Sequence, residues 1–225
     1  MRLALAPEAD AFALRGGMLV RSWMPASGRR IRDADLVCDV SFRPRELRAV
    51  LRAILANRAV EDGIVFDAER FRVDTAAPNA KLFAAGEVDG ELAEMTVDFT
   101  FGLDVWPAAS RCTLAMTRGA ARLNVCRHEM VIATKLGVIA ELGVREWRPK
   151  DLADIWLALR RFGPTRSTAE AIERRAASVH ELDAPWWRGP RAHMRWDRFA
   201  VRHPALPRHL DAVLAEVRAN LSRQR

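Results

Sequence analysis

Lysine and cysteine are scarce in this sequence, and it has no long apolar run. Only Lys81, Lys135 and Lys150 occur among the 36 basic residues, so nearly every positive charge is an arginine. The three cysteines, Cys38, Cys112 and Cys126, are odd in number and far apart, with no C-x-x-C between them. That excludes a disulfide framework or a zinc ribbon and fits reduced thiols in a cytoplasm. No apolar stretch approaches the roughly 18 residues that a membrane span needs. The opening MRLALAPEADAF meets Pro7, Glu8 and Asp10 before a signal-peptide core could form. Three familiar catalytic loops are also missing: the P-loop, the G-x-G-x-x-G dinucleotide turn and the G-x-S-x-G elbow. The histidines and cysteines lack metal-ligand spacing.

What remains is a chain of 225 residues, 50% hydrophobic and 29% charged. This composition suits an ordinary core and argues against disorder. The length fits one domain with an appendage, or two small ones. The charge is unevenly distributed. Residues 160–225 hold fourteen arginines against seven acidic residues, whereas residues 1–159 are balanced. The whole net charge of +7 therefore sits in the C-terminal part. Two readings are open: a surface for a polyanionic partner, or a solvated basic face.

Hydrophobic periodicity divides the chain near residue 127. Phe12–Arg15 reads as a short strand ending at Gly16-Gly17, and a helical run over 18–24 follows, stopped by Pro25. Ala34, Leu36, Cys38 and Val40 alternate with Asp33, Asp35, Val37 and Asp39, as in a half-buried strand. Pro44 opens an amphipathic helix bearing Leu47, Val50, Leu51, Ile54 and Leu55. Strands are expected at 63–74, 81–88, 92–101, 112–116 and 121–126, with Asp89-Gly90 as a two-residue hairpin turn. Beyond that the pattern is helical, at 128–142, 148–162, 167–181 and 207–222, with a Trp- and Arg-rich stretch at 185–199. The expected fold is α/β (α+β). A mixed sheet with flanking helices fills domain 1–126, and a helical domain fills 127–225.

Several residues in this frame carry chemistry. Asp33 and Asp35, two apart on a strand, present both carboxylates on one face with Cα atoms roughly 6–7 Å apart. Such a pair can converge on divalent cations, which prefer oxygen ligands. Asp39 shares that face and is expected to be solvated. Asp98 sits between Val97 and Phe99 in a strand, where aspartate is depleted. It is either an outer-face residue or a third carboxylate beside the first two. Three carboxylates can hold two Mg²⁺ about 4 Å apart, the arrangement that serves phosphoryl transfer. Gly16-Gly17, between a strand and a helix start, can bring backbone N–H groups to a phosphate, or simply make a turn. Lys135 is centred on the apolar stripe Val131, Ile132, Val138, Ile139 and Leu142, so it needs an anion. That anion is a structural carboxylate or a ligand phosphate. Asp151 borders the core stripe of the next helix, where the helix dipole also favours it, while Lys150 and Asp154 are expected further toward solvent. Trp147 and Trp156 are expected in the core.

The ordered segments LRGGMLVRSWM, RRIRDADLVCDV, MTVDFTFG and EMVIATKLGVIAELGVREWRPKDLADIWLAL resemble the AbiEii/AbiGii-type nucleotidyltransferase toxins of the DNA-polymerase-beta-like superfamily. The likeness spans about residues 12–162. It implies a nucleotidyltransferase-like fold in which Gly16 and Gly17 position the nucleoside triphosphate (NTP). Asp33, Asp35 and Asp98 would carry two Mg²⁺, and Lys135 with Lys150, Asp151 or Asp154 would complete the nucleotide site. It further implies transfer of a nucleotide from an NTP to an RNA, for some members the tRNA 3′ end, and a cognate antitoxin as partner. Two positions depart from the family pattern. Met18 replaces a small hydroxyl residue, for which Ser22 one turn on is the candidate substitute, and Ile31 replaces a serine. Arg188, Arg191 and Arg195, interleaved with Trp186, Trp187 and Trp196, are the expected RNA contacts, through phosphate pairing and base stacking.

Overall fold

The computed structural model describes residues 1–25, 31, 33–38, 43–57, 62–116 and 119–223. Asp39 and Val40, assigned above to the polar and apolar faces of a strand, lie outside the described residues. The chain divides into two compact units. One comprises Met1–Ser22, Ile31–Val105 and Ala109–Cys126; the other takes in Trp23, Trp106–Ala108 and the residues from Arg127 onward.

The first unit is built on a seven-stranded sheet. Its strands are β1 (Phe12–Arg15), β2 (Ala34–Cys38), β3 (Ile64–Ala76), β4 (Asn79–Val88), β5 (Glu91–Phe101), β6 (Ser110–Met116) and β7 (Gly119–Val125). The spatial order is β3-β4-β5-β2-β1-β7-β6. The β3-β4-β5 meander and the β6-β7 hairpin are antiparallel, as short connections require. β2 enters between them, parallel to β5 and antiparallel to β1, and β1 runs parallel to β7. The sheet is therefore mixed.

Helix α1 (Gly16–Trp23) starts directly from β1, and α2 (Pro44–Ala56) follows β2. α2 buries Leu47, Leu51 and Leu55. Together with Leu36, Leu82, Val97 and Phe99 from the sheet, Leu51 and Leu55 line an apolar cavity of about 240 Å³. The alternation in β5 holds as the sequence requires. Val97, Phe99 and Phe101 are buried, while Thr96, Asp98 and Thr100 are half-buried on the other face.

The N-terminus is tied to this unit by Arg2, whose guanidinium bonds Asp62 twice, at 2.9 and 3.1 Å. It also donates to the carbonyls of Leu55 and Ile64. Both side chains are nearly buried, and the Arg2 hydrogen bond, above all, holds the Asp62 carboxyl below its ordinary value of 3.8. A depressed carboxyl pKa adds stability above the unfolded value, and this is lost as pH falls through the folded value. Asp62→Asn is therefore expected to cost about 1–3 kcal/mol at neutral pH by leaving buried donors short of a charged acceptor. In urea melts across pH, the gap from wild type should begin to narrow as pH falls below the ordinary carboxylate value and close only further down, once Asp62 of the folded wild type is itself protonated.

The second unit is helical. It contains α3 (His128–Glu146), α4 (Pro149–Phe162), α5 (Arg166–Arg174), α6 (Pro190–Ala200) and α7 (Leu210–Ser222), with short 3₁₀ turns at Val179–Asp183 and Pro185–Arg188. The expected helix over 167–181 ends early, at Arg174, and Ala176 then adopts a positive φ of 49°. α3 is interrupted at Gly143, whose φ of 54° breaks the helical path after Leu142. α4 is packed by α3, α6 and α7. Asp151 through Leu159 are consequently all buried, not only one stripe.

Candidate active site

The polar face of the sheet carries one continuous charged row. Arg15 on β1 pairs with Asp35 on β2, Asp35 with Asp98 on β5, and Asp98 with Lys81 on β4. Residues directly opposite each other project to the same side, so Asp35 and Asp98 stand as neighbours, with a basic residue on each flank. Asp33 immediately precedes β2, which begins at Ala34, so it lies just outside the strand. The Lys81 ammonium lies 3.0 Å from Asp98 Oδ2. That hydrogen bond, first of all, holds the lysine above its ordinary pKa, and electrostatic attraction from Asp98, Asp33 and Asp35 adds to it. All three predicted carboxylates therefore act on one ammonium. On the same face Arg15 donates to Thr100 Oγ1 at 2.8 Å, and Thr100 donates to Asn79 Oδ1 at 3.0 Å.

Gly16 explains itself against Asp35. Its φ is +70°, and a Cβ built there would fall 1.9 Å from Asp35 Oδ2. Only a residue without a side chain lets the carboxylate tuck against the start of α1. Gly17 is the second residue of that helix, among the N–H groups that lack intrahelical partners. Met18 turns to the apolar side and lines the cavity with Leu14, Leu36 and Phe99. The Ser22 hydroxyl donates to Leu19 O at 2.6 Å, one turn back in its own helix. Its proton is engaged by the helix backbone, so at a nucleotide site Ser22 would serve as an acceptor.

The chemistry of the donors fits a hard divalent cation: three carboxylates face a shared positive charge, with no sulfur or imidazole among them. As placed, no three His, Cys, Asp or Glu side chains among the described residues close on one point as a ready cage. Lys81 is the cation paired with Asp98, and Arg15 stands opposite Asp35 on the other flank. Sequence reasoning named Lys81 only as one of three lysines and missed this role.

The second unit holds its own charged cluster. Lys135 on α3 lies 2.7 Å from Asp151 Oδ1 and 3.5 Å from Asp154 Oδ2, both on α4. Arg148 Nε reaches the other Asp151 oxygen at 2.8 Å. Both aspartates are fully buried, and Lys135 is 15% exposed. Of the two anions open to Lys135, the structural carboxylate is present. The expectation that Asp154 faces solvent is corrected, because helices cover α4 on more than one side. Lys150 is half-buried at the first turn of α4.

The Trp- and Arg-rich stretch divides between core and surface. Trp187 and Trp196 are buried, donating their indole N–H groups to Glu181 O and Pro207 O at 2.8 and 3.1 Å. Trp186 is half-buried and stacks on Trp187 with ring centroids 3.9 Å apart. Of the three tryptophans in this stretch, Trp187 and Trp196 serve as core, as so small a domain requires. Arg195 caps the end of α3, donating to Trp147 O and Arg145 O at 2.8 and 2.6 Å. Arg188 and Arg191 are exposed, with Arg191 reaching Arg145 O at 3.5 Å.

The fold is that of nucleotidyltransferases. A candidate nucleotidyltransferase from H. pylori superposes with a TM-score of 0.60 at 12% identity, covering 99% of this chain and 88% of its own. JHP933 from Helicobacter pylori gives 0.62 at 12% identity, covering 99% and 85%. At such identity the likeness shows the fold alone. A search of curated proteins returns no match. The family model for the nucleotidyl transferase AbiEii toxin of type IV toxin–antitoxin systems matches residues 1–223, and the chain belongs to that family. It is accordingly a nucleotidyltransferase toxin, with a nucleotide substrate and a cognate antitoxin.

Proposed function

We propose that the chain transfers a nucleotide from an NTP to an RNA acceptor, the 3′ end of a tRNA, in the cytoplasm. The observation that supports this most is the row in which Asp35 and Asp98 stand opposite each other on adjacent strands, with Asp33 beside them. In this reading residues 1–126 are the catalytic domain. Residues 127–225 form a helical domain that contributes Lys135 and the basic surface.

Asp33, Asp35 and Asp98 would hold Mg²⁺, which when bound supplies charge neutralisation at the reacting phosphate and eases deprotonation of the attacking hydroxyl. The chain's own residues do the rest. The Gly16-Gly17 turn keeps side chains clear and offers the unpaired N–H groups of α1 to phosphate oxygens. Gly16 also lets Asp35 approach that helix start, fixing the carboxylate where the phosphate arrives. Lys135 pairs with phosphate, its stem packed and its orientation set by Asp151 and Asp154, with Lys150 nearby in sequence. The acceptor hydroxyl gives up its proton to a carboxylate of the row and its oxygen bonds to the α-phosphorus, while the bond to the bridging oxygen breaks and pyrophosphate leaves with that electron pair.

Each α-labelled NTP in turn, incubated with the protein, Mg²⁺, total RNA and lysate protein, tests this reading. Label should appear on RNA of tRNA length. Label on protein alone would move the acceptor to a protein hydroxyl, and label nowhere would leave a nucleotide- or RNA-binding protein. For the acceptor surface, Arg188→Glu combined with Arg191→Glu should weaken RNA binding severalfold at moderate salt and flatten its salt dependence. NTP affinity should be unchanged, as read by filter binding and by a nucleotide thermal shift. Arg195 is left out because it caps α3.

A further inference from the structure

Building on the transferase reading above, we propose that Lys81 is a resident counter-cation. It holds Asp98 while no divalent ion is present and yields it when a nucleotide arrives with its metal, so that cation binding is coupled to nucleotide binding.

The position of Lys81 is not incidental. The Asp89-Gly90 turn sets Val88 opposite Glu91, and that register carries Lys81 opposite Asp98. The pair is ion-bonded at 3.0 Å. Three carboxylates gathered on one sheet face repel one another, and the fold answers with an ammonium that all three attract. The two partners are 38% and 32% exposed, so the contact can open without disturbing the core. A lysine suits this exchange. Its charge is a compact point on a flexible stem, whereas an arginine's planar fork would hold the carboxylate more rigidly. A bare divalent ion must displace the ammonium to reach Asp98. An ion carried by a triphosphate brings further oxygen ligands and a negative charge that the freed ammonium can meet. Lys81 is thus a positioning residue for the cation site and not itself a reacting group.

The test is Mn²⁺ binding to the full-length protein, read as loss of the free-ion electron paramagnetic resonance signal, with and without a non-hydrolysable NTP. Wild type should bind Mn²⁺ weakly alone and more tightly with nucleotide. Lys81→Met and Lys81→Gln should bind Mn²⁺ without nucleotide at least about tenfold more tightly than wild type, since a neighbouring positive charge is gone. The gain on adding nucleotide should shrink, and Lys81→Arg, which keeps the charge and holds the carboxylate more rigidly, should bind Mn²⁺ no more tightly than wild type. Adding Asp35→Ala to Lys81→Met should abolish the tighter binding. A folded Lys81→Met, or its Gln counterpart, whose Mn²⁺ affinity is unchanged or weaker would overturn the inference. If Asp35→Ala still removes nucleotide-dependent Mn²⁺ binding, the carboxylate assignment stands without it. No Mn²⁺ bound by any variant, with or without nucleotide, would overturn both.

Discussion

Asp35→Ala is expected to lower nucleotide transfer by at least ~10²-fold while leaving the protein folded. The carboxylate lies on the polar face of the sheet, against the start of α1 and opposite Asp98. Removing it takes one negative charge out of a crowded group and opens space beside Gly16. No core packing is lost, because the buried side chains of β2 are Leu36, Val37 and Cys38. Growth inhibition on expression should disappear with the activity. Melting curves that superpose on wild type, together with abolished transfer, separate this outcome from simple unfolding.

The second large effect concerns stability. Lys135→Met should destabilise the protein by about 3–5 kcal/mol, because it leaves Asp151 and Asp154 fully buried with a cation removed. Arg148 still reaches Asp151 and softens the loss. The melting temperature should fall on the order of 10 °C. If Lys135 also binds phosphate, the stabilisation that NTP gives to wild type will be absent from the variant. A lower melting temperature with the NTP-induced shift intact would confine Lys135 to its structural pair.

Much of the frame was legible because it is local. Pro44 and the Leu47, Leu51 and Leu55 spacing mark α2, and the alternation of Val97, Phe99 and Phe101 with Asp98 and Thr100 fixes which way Asp98 points. The Asp89-Gly90 turn also fixes the register of the whole β4-β5 hairpin. Counting back from that turn places Lys81 opposite Asp98, so the ion pair was available from the hairpin register alone. The placement of β2 between β5 and β1 was not legible, since pairing between strands distant in sequence leaves no periodicity in either one. That pairing is what sets Asp35 beside Asp98, so the carboxylates could be named but not assembled.

The helical unit failed differently. A single apolar stripe on α4 predicts one covered face, yet three helices pack it and bury Asp154 as well. Arg-Trp interleaving at 185–199 does not tell which tryptophans stack outward and which fill the core of so small a unit. Trp187 and Trp196 are core, with their N–H groups satisfied by backbone carbonyls.

The central claim is that the carboxylate row is where nucleotidyl transfer occurs. The most direct measurement gives α-labelled and γ-labelled NTP in parallel to wild type and to Asp98→Asn, which keeps the side-chain shape and removes the charge. The account predicts that wild type attaches the α label and never the γ label to the acceptor, and that folded Asp98→Asn attaches neither. Transfer of the α label by Asp98→Asn at the wild-type rate would contradict it.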